Sequence, residues 1–318
     1  MKCMKMFVMR SLSLMVLFLF LSVGASGQQV ADPNFNARVA RPAFTRSHPS
    51  VLFDEAHNNF HTTGGRYKGF AELIANDGYR VTPNKEKFSE QVLKGHDILV
   101  IANPLNDAGD VENQMEDRPA FTEAECDAVR DWVRAGGALL LIVDHTPWGA
   151  AARDLGKRFD VDMSNSYTRD PTNYDQDYGA LSAVIYSRGN RNLGDHPITR
   201  GRNAGERLNV VETFTGQSIK GPSESVAFLK LSDKATDEPP SPSDAKVKPA
   251  RTSAAGRAQG IAFTFGKGRV VVLGEAAMLS AQIVGSGEDK YRVGMNRSYI
   301  DNRQLALNIM HWLSGLLK

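Results

Sequence analysis

Ala138-Leu-Leu-Leu-Ile-Val-Asp144 is the most apolar strand-length run of the domain, and it stops abruptly at a carboxylate. Apolar side chains on both alternating faces suit a strand buried on both sides, as in a parallel sheet covered by helices. The residues before it read as the helix such a sheet requires. Thr122 stands at its cap with Glu125 three residues on, Phe121 and Cys126 take the positions of a hydrophobic staple, and Gly136-Gly137 ends it. Val129, Trp132 and Val133 form its inward face. Asp97-Ile-Leu-Val-Ile-Ala102 is a second continuous apolar run of the same kind.

The pattern continues outward in both directions. Residues 51–54 form a short strand, and residues 65–77 a helix with Phe70, Leu73 and Ile74 at helical spacing before Gly78. A weak strand at 80–83 and a short helix at 86–94 lead to the strand at 97–102, after which 103–120 is a polar loop. A further helix is expected over 149–159. Strand and helix alternating at this spacing predict a doubly wound α/β domain over residues 50–318, mostly parallel, with right-handed crossovers and helices on both faces.

Residues 160–207 are rich in Asn, Asp, Tyr and Arg and read as loops around one strand at 181–186. Later strands are expected at 208–213 and 226–231. Between them and the C-terminal part, residues 232–259 carry Pro, Ser, Lys and Asp with almost no large apolar residue, so they are expected to be a disordered insertion. Residues 260–265 and 269–275 form a late β-hairpin around Gly266-Lys-Gly268. That turn lacks the Gly-x-x-x-x-Gly-Lys-Ser/Thr spacing of a phosphate loop. The last helix is expected to use Asp301 as cap, Gln304 as its box partner and Ile300 with Leu305 as staple. Leu305, Ile309, Trp312, Leu313 and Leu316 make one apolar stripe.

Residues 1–27 read as a secretory signal peptide. Lys2, Lys5 and Arg10 precede an apolar run, and small residues close it at Gly24-Ala25-Ser26-Gly27. A run of about ten apolar residues is short against the roughly 20 that span a bilayer, so no membrane span is expected after cleavage. Residues 28–49 read as an N-terminal linker. Removal of the leader takes three of the 38 Lys and Arg, leaving 35 against 36 Asp and Glu, and no nucleic-acid footprint remains. The exported chain, periplasmic or extracellular, keeps one cysteine, Cys126, inside a helix as a packing residue. Asn296-Arg297-Ser298 is a glycosylation acceptor only in a eukaryotic secretory route.

In open α/β sheets ligands bind beyond the carboxyl ends of the strands. Four strands here end in polar residues: Asp54, His57, Asn58 and His61 after the first, Asn103 after the third, Asp144 and His145 after the fourth, and Glu275 after the last. Each carboxylate can instead cap the following turn, and His61 can be a surface loop residue. Two chemistries fit a converged set. His57, His145 and Asp144 can ligate a divalent metal for hydrolysis, with Glu275 taking a proton from bound water, although no tight ligand spacing supports it. Alternatively the cleft binds a small polar or glycan ligand without a cofactor, with Tyr167, Tyr174 and Tyr178 as stacking faces.

Val51-Leu-Phe-Asp-Glu-x-His57, Gly78-Tyr-x-Val81, Asp97 to Pro104, Phe121-Thr-x-x-Glu125 and Gly136 to Asp144, in that order, resemble a family. They are similar to the class I glutamine amidotransferase-like domains of gliding-motility ABC-transporter auxiliary proteins and intraflagellar-transport proteins, and to a bacterial domain of unknown function in that superfamily. The resemblance covers residues 50–160 well and 260–318 more loosely. It implies a flavodoxin-like sheet and, as in the non-enzymatic relatives, a binding or scaffolding role. A third reading beside ligand binding and hydrolysis is a subunit of an envelope complex with an envelope protein partner. The enzymes of the superfamily carry a Cys in a Gly-x-Cys-x-Gly elbow after the strand corresponding to residues 138–143. This chain has Asp144-His145-Thr146-Pro147 there, so the covalent route to glutamine hydrolysis is absent.

Overall fold

The structure, a computed structural model, describes residues 29–109, 118–241, 249–287 and 290–318. The expected signal peptide lies outside them. Five parallel strands make the frame: β2 (Ser50–Asp54), β3 (Arg80–Asn84), β4 (Ile98–Ala102), β5 (Ala138–Ile142) and β15 (Gly268–Leu273). They lie side by side as β3-β2-β4-β5-β15. Counted along the chain this is the 2-1-3-4-5 order of flavodoxin-like sheets. The late hairpin forms as expected: β14 (Ala258–Phe265) turns back antiparallel into β15. Beyond β14 the sheet is finished by β10 (Ile219–Lys220), β11 (Val226–Lys230) and β6 (Asp162–Met163).

The unbroken apolar runs are explained by two cores. Ile98, Val100, Leu140 and Ile142 point to one face, against Phe70, Leu73 and Ile74 of α1 (Lys68–Asn76) and Leu305, Ile309 and Met310 of α6 (Asn302–Leu313). Leu99, Ile101, Leu139 and Leu141 point to the other. There they meet Leu93 of α2 (Glu90–Leu93), Cys126, Val129 and Val133 of α3 (Glu123–Ala135), and Ala152 and Leu155 of α4 (Trp148–Lys157). Alternation along a strand therefore separates two apolar environments, and neither face tolerates a charge. Gly78 ends α1 with φ of 102°, and a Cβ there would collide with the Phe44 carbonyl, so only glycine fits.

The start of α3 carries the expected capping box. Thr122 Oγ1 accepts from the Glu125 amide at 3.3 Å, and Glu125 Oε2 accepts from the Thr122 amide at 3.0 Å. Thr122→Ala is expected to lower the unfolding free energy by about 1 kcal/mol. Urea titration reads this as a lower midpoint at unchanged slope.

Several expectations are corrected. Asp301 precedes α6 but does not cap it. Its Oδ2 accepts from the amides of Asn209 and Val210 at 2.6 and 3.0 Å, and Gln304 donates to Asn308 instead of closing a box. Leu316 lies beyond the helix and is 37% exposed, while Leu317 is buried in its place. The strand sought at 181–186 is β8 (Ile185–Ser187), paired with β9 (Val210–Glu212).

Residues 29–49 are not a free linker. β1 (Gln29–Ala31) pairs with β16 (Ala281–Val284), which in turn pairs with β17 (Tyr291–Gly294), and Phe35 and Phe44 pack on the core.

The segment 232–259 is ordered at both ends, while residues 242–248 lie outside the described residues. β12 (Thr236–Glu238) pairs with β7 (Tyr167–Arg169) and β13 (Thr252–Ser253). Buried Asp237 accepts hydroxyl hydrogen bonds from Thr168 and Ser218, each at 2.6 Å. Composition predicted disorder because it counts apolar side chains. Here strand pairing and a satisfied buried carboxylate supply the order.

Candidate functional site

The parallel order of β4, β5 and β15 brings their carboxyl ends to one rim. Asn103, directly after β4, adopts a left-handed conformation (φ 48°), and its Oδ1 accepts from the Asp144 amide at 2.9 Å. Asp144 Oδ1 in turn accepts from the His145 amide at 2.9 Å. After β15, Glu275 is fully buried and takes the amides of Ala277 and Met278 at 2.8 and 2.7 Å. Burial pushes the Glu275 carboxyl well above the usual range, the Asp144 charge adds to this, and the backbone amides oppose it. Burial raises Asp144 too, against the pull of His145. Two carboxyls placed together in a dry site resist ionising together.

These groups face one cavity of about 280 Å³. Phe60, His61, Asp144, His145, Trp148 and Glu275 are among its walls. The aromatic side is tightly packed. Phe60 lies 5.2 Å from Trp148, and His145 stacks on Tyr167 at 4.4 Å while its Nδ1 meets the Thr146 carbonyl at 2.7 Å. His61 is 3% exposed and lies 4.6 Å from the Tyr67 ring. Burial, helped by the Arg66 charge, lowers its pKa to about 3, so it is neutral at physiological pH. Three side chains of this wall hold buried polar atoms with no partner among the described residues: His61 Nδ1, Trp148 Nε1 and Gln282 Oε1. A buried donor or acceptor left unmatched costs about 1–3 kcal/mol. The wall is therefore short of hydrogen-bond partners.

Four of the eight residues expected at the cleft line it: His61, Asp144, His145 and Glu275. Asn103 acts one step behind, positioning Asp144. Asn58 is exposed and donates to the Asn106 carbonyl. Asp54 and His57 form a closed structural lock. His57 Nδ1 lies 2.9 Å from both Asp54 oxygens, its Nε2 lies 2.8 Å from Glu125 Oε1, and Phe88 and Phe121 pack against its ring. Both ring nitrogens are occupied, so His57 has no lone pair left for a metal. No group of three His, Cys, Asp or Glu among the described residues can hold a metal ion. Of the expected stacking tyrosines, Tyr178 lines the cavity, Tyr167 backs His145, and Tyr174 bridges to Val184.

Several residues in or behind the wall carry no sequence signal. Gln282 reads as an ordinary strand residue. Gln217 comes from the irregular middle segment, yet its Nε2 holds the Asp144 carbonyl at 2.7 Å and its Oε1 takes the Asn165 amide at 2.8 Å. Trp148 lay in view at the start of a helix, but only the fold turns it toward Phe60.

No family model and no curated protein matches the chain. Among solved structures, the N-terminal domain of mmIFT52 superposes with a TM-score of 0.56 at 16% identity, covering 83% of this chain and 97% of that domain. The likeness is one of fold, a mostly parallel flavodoxin-like α/β sheet. A ThuA-like protein from Bacteroides uniformis (TM-score 0.37, 11% identity, 89% of this chain and 95% of that one) is also similar. So is a protein described as a GMP synthase subunit from Thermoplasma acidophilum (0.42, 10%, 86% and 97%). Asp144-His145 follows β5, and the only cysteine among the described residues lies away from the cavity. Cys126 is buried in α3, and burial pushes its thiol up to about 12. No helix among the described residues is long and apolar enough to cross a membrane.

Proposed function

We propose that this is an exported amidotransferase-like domain without the covalent chemistry of the enzymes, which binds a polar, glycan-derived ligand at the carboxyl ends of β5 and β15. The observation that carries the reading is the convergence of Asp144, Glu275, His61 and His145 on one cavity that aromatic rings also wall. Donors, acceptors and aromatic faces in one small site suit a molecule with hydroxyls around an apolar ring face. Neutral His61 and carboxyls that resist ionisation favour an uncharged ligand. The metal-assisted alternative lacks its ligand set, because His57 is committed to two carboxylates.

The test is calorimetric titration of the protein with neutral monosaccharides and disaccharides, on the wild type and on Asp144→Ala. Loss of hydrogen bonds to a charged or partly charged group is worth about 1.5–3 kcal/mol. The variant is therefore expected to bind roughly 10- to 100-fold more weakly. Saccharide binding that Asp144→Ala leaves untouched would remove the cavity from the account.

A further inference from the structure

One wall of the 280 Å³ cavity is built by two tyrosines. Tyr178 and Tyr291 line it on one side and, on their other side, line a second basin of about 640 Å³. Their rings stand edge to face at 5.5 Å, with the hydroxyls 3.4 Å apart. On the basin side, Tyr291 and Tyr299 are 43% and 57% exposed.

Tyr299 is held in place. Its hydroxyl donates to Asp175 Oδ2 at 3.3 Å, and the Arg297 guanidinium lies 4.6 Å from its ring centre. Arg297 is itself fixed by Asp175 at 3.0 Å and Glu212 at 2.9 Å. A tyrosine face anchored in this way loses little entropy when a ligand stacks on it. Asn296 also lines the basin, and its Oδ1 has no partner among the described residues.

We infer that the inner cavity takes only the terminal ring of its ligand, and that the ligand is an oligosaccharide whose next ring crosses the Tyr178–Tyr291 wall and stacks in the basin against Tyr299. The inference rests on the saccharide-binding reading and adds the length of the ligand. The inner volume lies just under the roughly 300–1,000 Å³ of cavities that enclose a drug-sized molecule, so one ring fills it. The basin is larger and more open, with two exposed aromatic faces. Isolated exposed aromatics are ordinary on a surface. Two beside an anchored arginine, next to a cavity that shares Tyr178 and Tyr291 with the basin, make a platform.

The experiment is titration of the full protein with gluco-, manno-, galacto- and chito-oligosaccharides of one to four units, on the wild type and on Tyr299→Ala. Melting temperatures establish that the variant is folded. For the series that binds, affinity is expected to rise about tenfold from one unit to two, as one stacking contact provides, and Tyr299→Ala is expected to abolish that rise. A monosaccharide that binds as tightly as its longer homologues would overturn the two-ring ligand and leave the inner site intact. A length dependence that survives in Tyr299→Ala would place the second ring elsewhere and also overturn it. Absence of binding at every length in all four series would sink the saccharide reading together with this inference.

Discussion

His57→Ala is expected to lower the stability of the domain by about 3–5 kcal/mol, the cost of stranding a buried charge by removing its partner. In the native protein the imidazole bridges Asp54 and Glu125, and all three side chains are buried. Each ring nitrogen lies within hydrogen-bond distance of a carboxylate oxygen, so the ring is the shared partner of the two acids. Alanine leaves two buried carboxylates near each other without their shared hydrogen-bond partner and opens a void between Phe88 and Phe121. The capping box of α3 suffers as well, because Glu125 serves the helix start and His57 together. His57→Gln, which keeps amide donors, should recover part of the loss. Urea denaturation at neutral pH measures both variants. A loss under about 1 kcal/mol in His57→Ala would show that the carboxylates find other partners and that the bridge is dispensable.

Glu212 provides the second large effect, and its sign depends on pH. The side chain is fully buried, its Oε1 accepts from Arg297 at 2.9 Å, and its Oε2 has no partner among the described residues. Burial raises its pKa; Arg297 pulls it down, Asp175 pushes it further up, and it settles at about 8 against an ordinary 4.5. The folded protein therefore holds this proton more tightly than the unfolded chain does. The stabilising contribution is complete below about pH 4.5 and is lost as pH rises through 8. A shift of this size amounts to a few kcal/mol. Glu212→Gln keeps an oxygen for Arg297 and removes the titration. Wild type and variant should melt alike near pH 4.5, and the variant should be the more stable near pH 8.5, by a few kcal/mol. Parallel melting curves across that range would show that Glu212 does not change its protonation on folding.

The frame could be read from the sequence because it depends on local patterns. Ile98 to Ala102 and Ala138 to Ile142 carry no polar residue, Thr122 and Glu125 sit at capping-box spacing, and Gly78 stands where α1 must stop. Each signal lies within a few residues of the element it defines. The cavity could be read only in part. Asp144 and Glu275 follow strands, and strand-end position is visible in sequence. Gln282, Trp148 and Gln217 reach the site through contacts that no local pattern encodes.

The same limit explains the two main errors. Asp54 and His57 follow a strand end like the site residues, but Glu125, 68 positions from His57, draws the imidazole into the core. Asp237 orders a segment poor in apolar residues because two hydroxyls from elsewhere reach it.

The strand order described above also settles how the molecule treats its neighbours in a crowded solution. A sheet is an open template at its two outermost strands, where unpaired backbone groups invite another chain to add itself. One border here is β3, in which Pro83 has no amide to offer; the other is β6, two residues long and opened by Asp162. At these two borders of the main sheet a proline and a charged two-residue stub stand where another chain would have to pair.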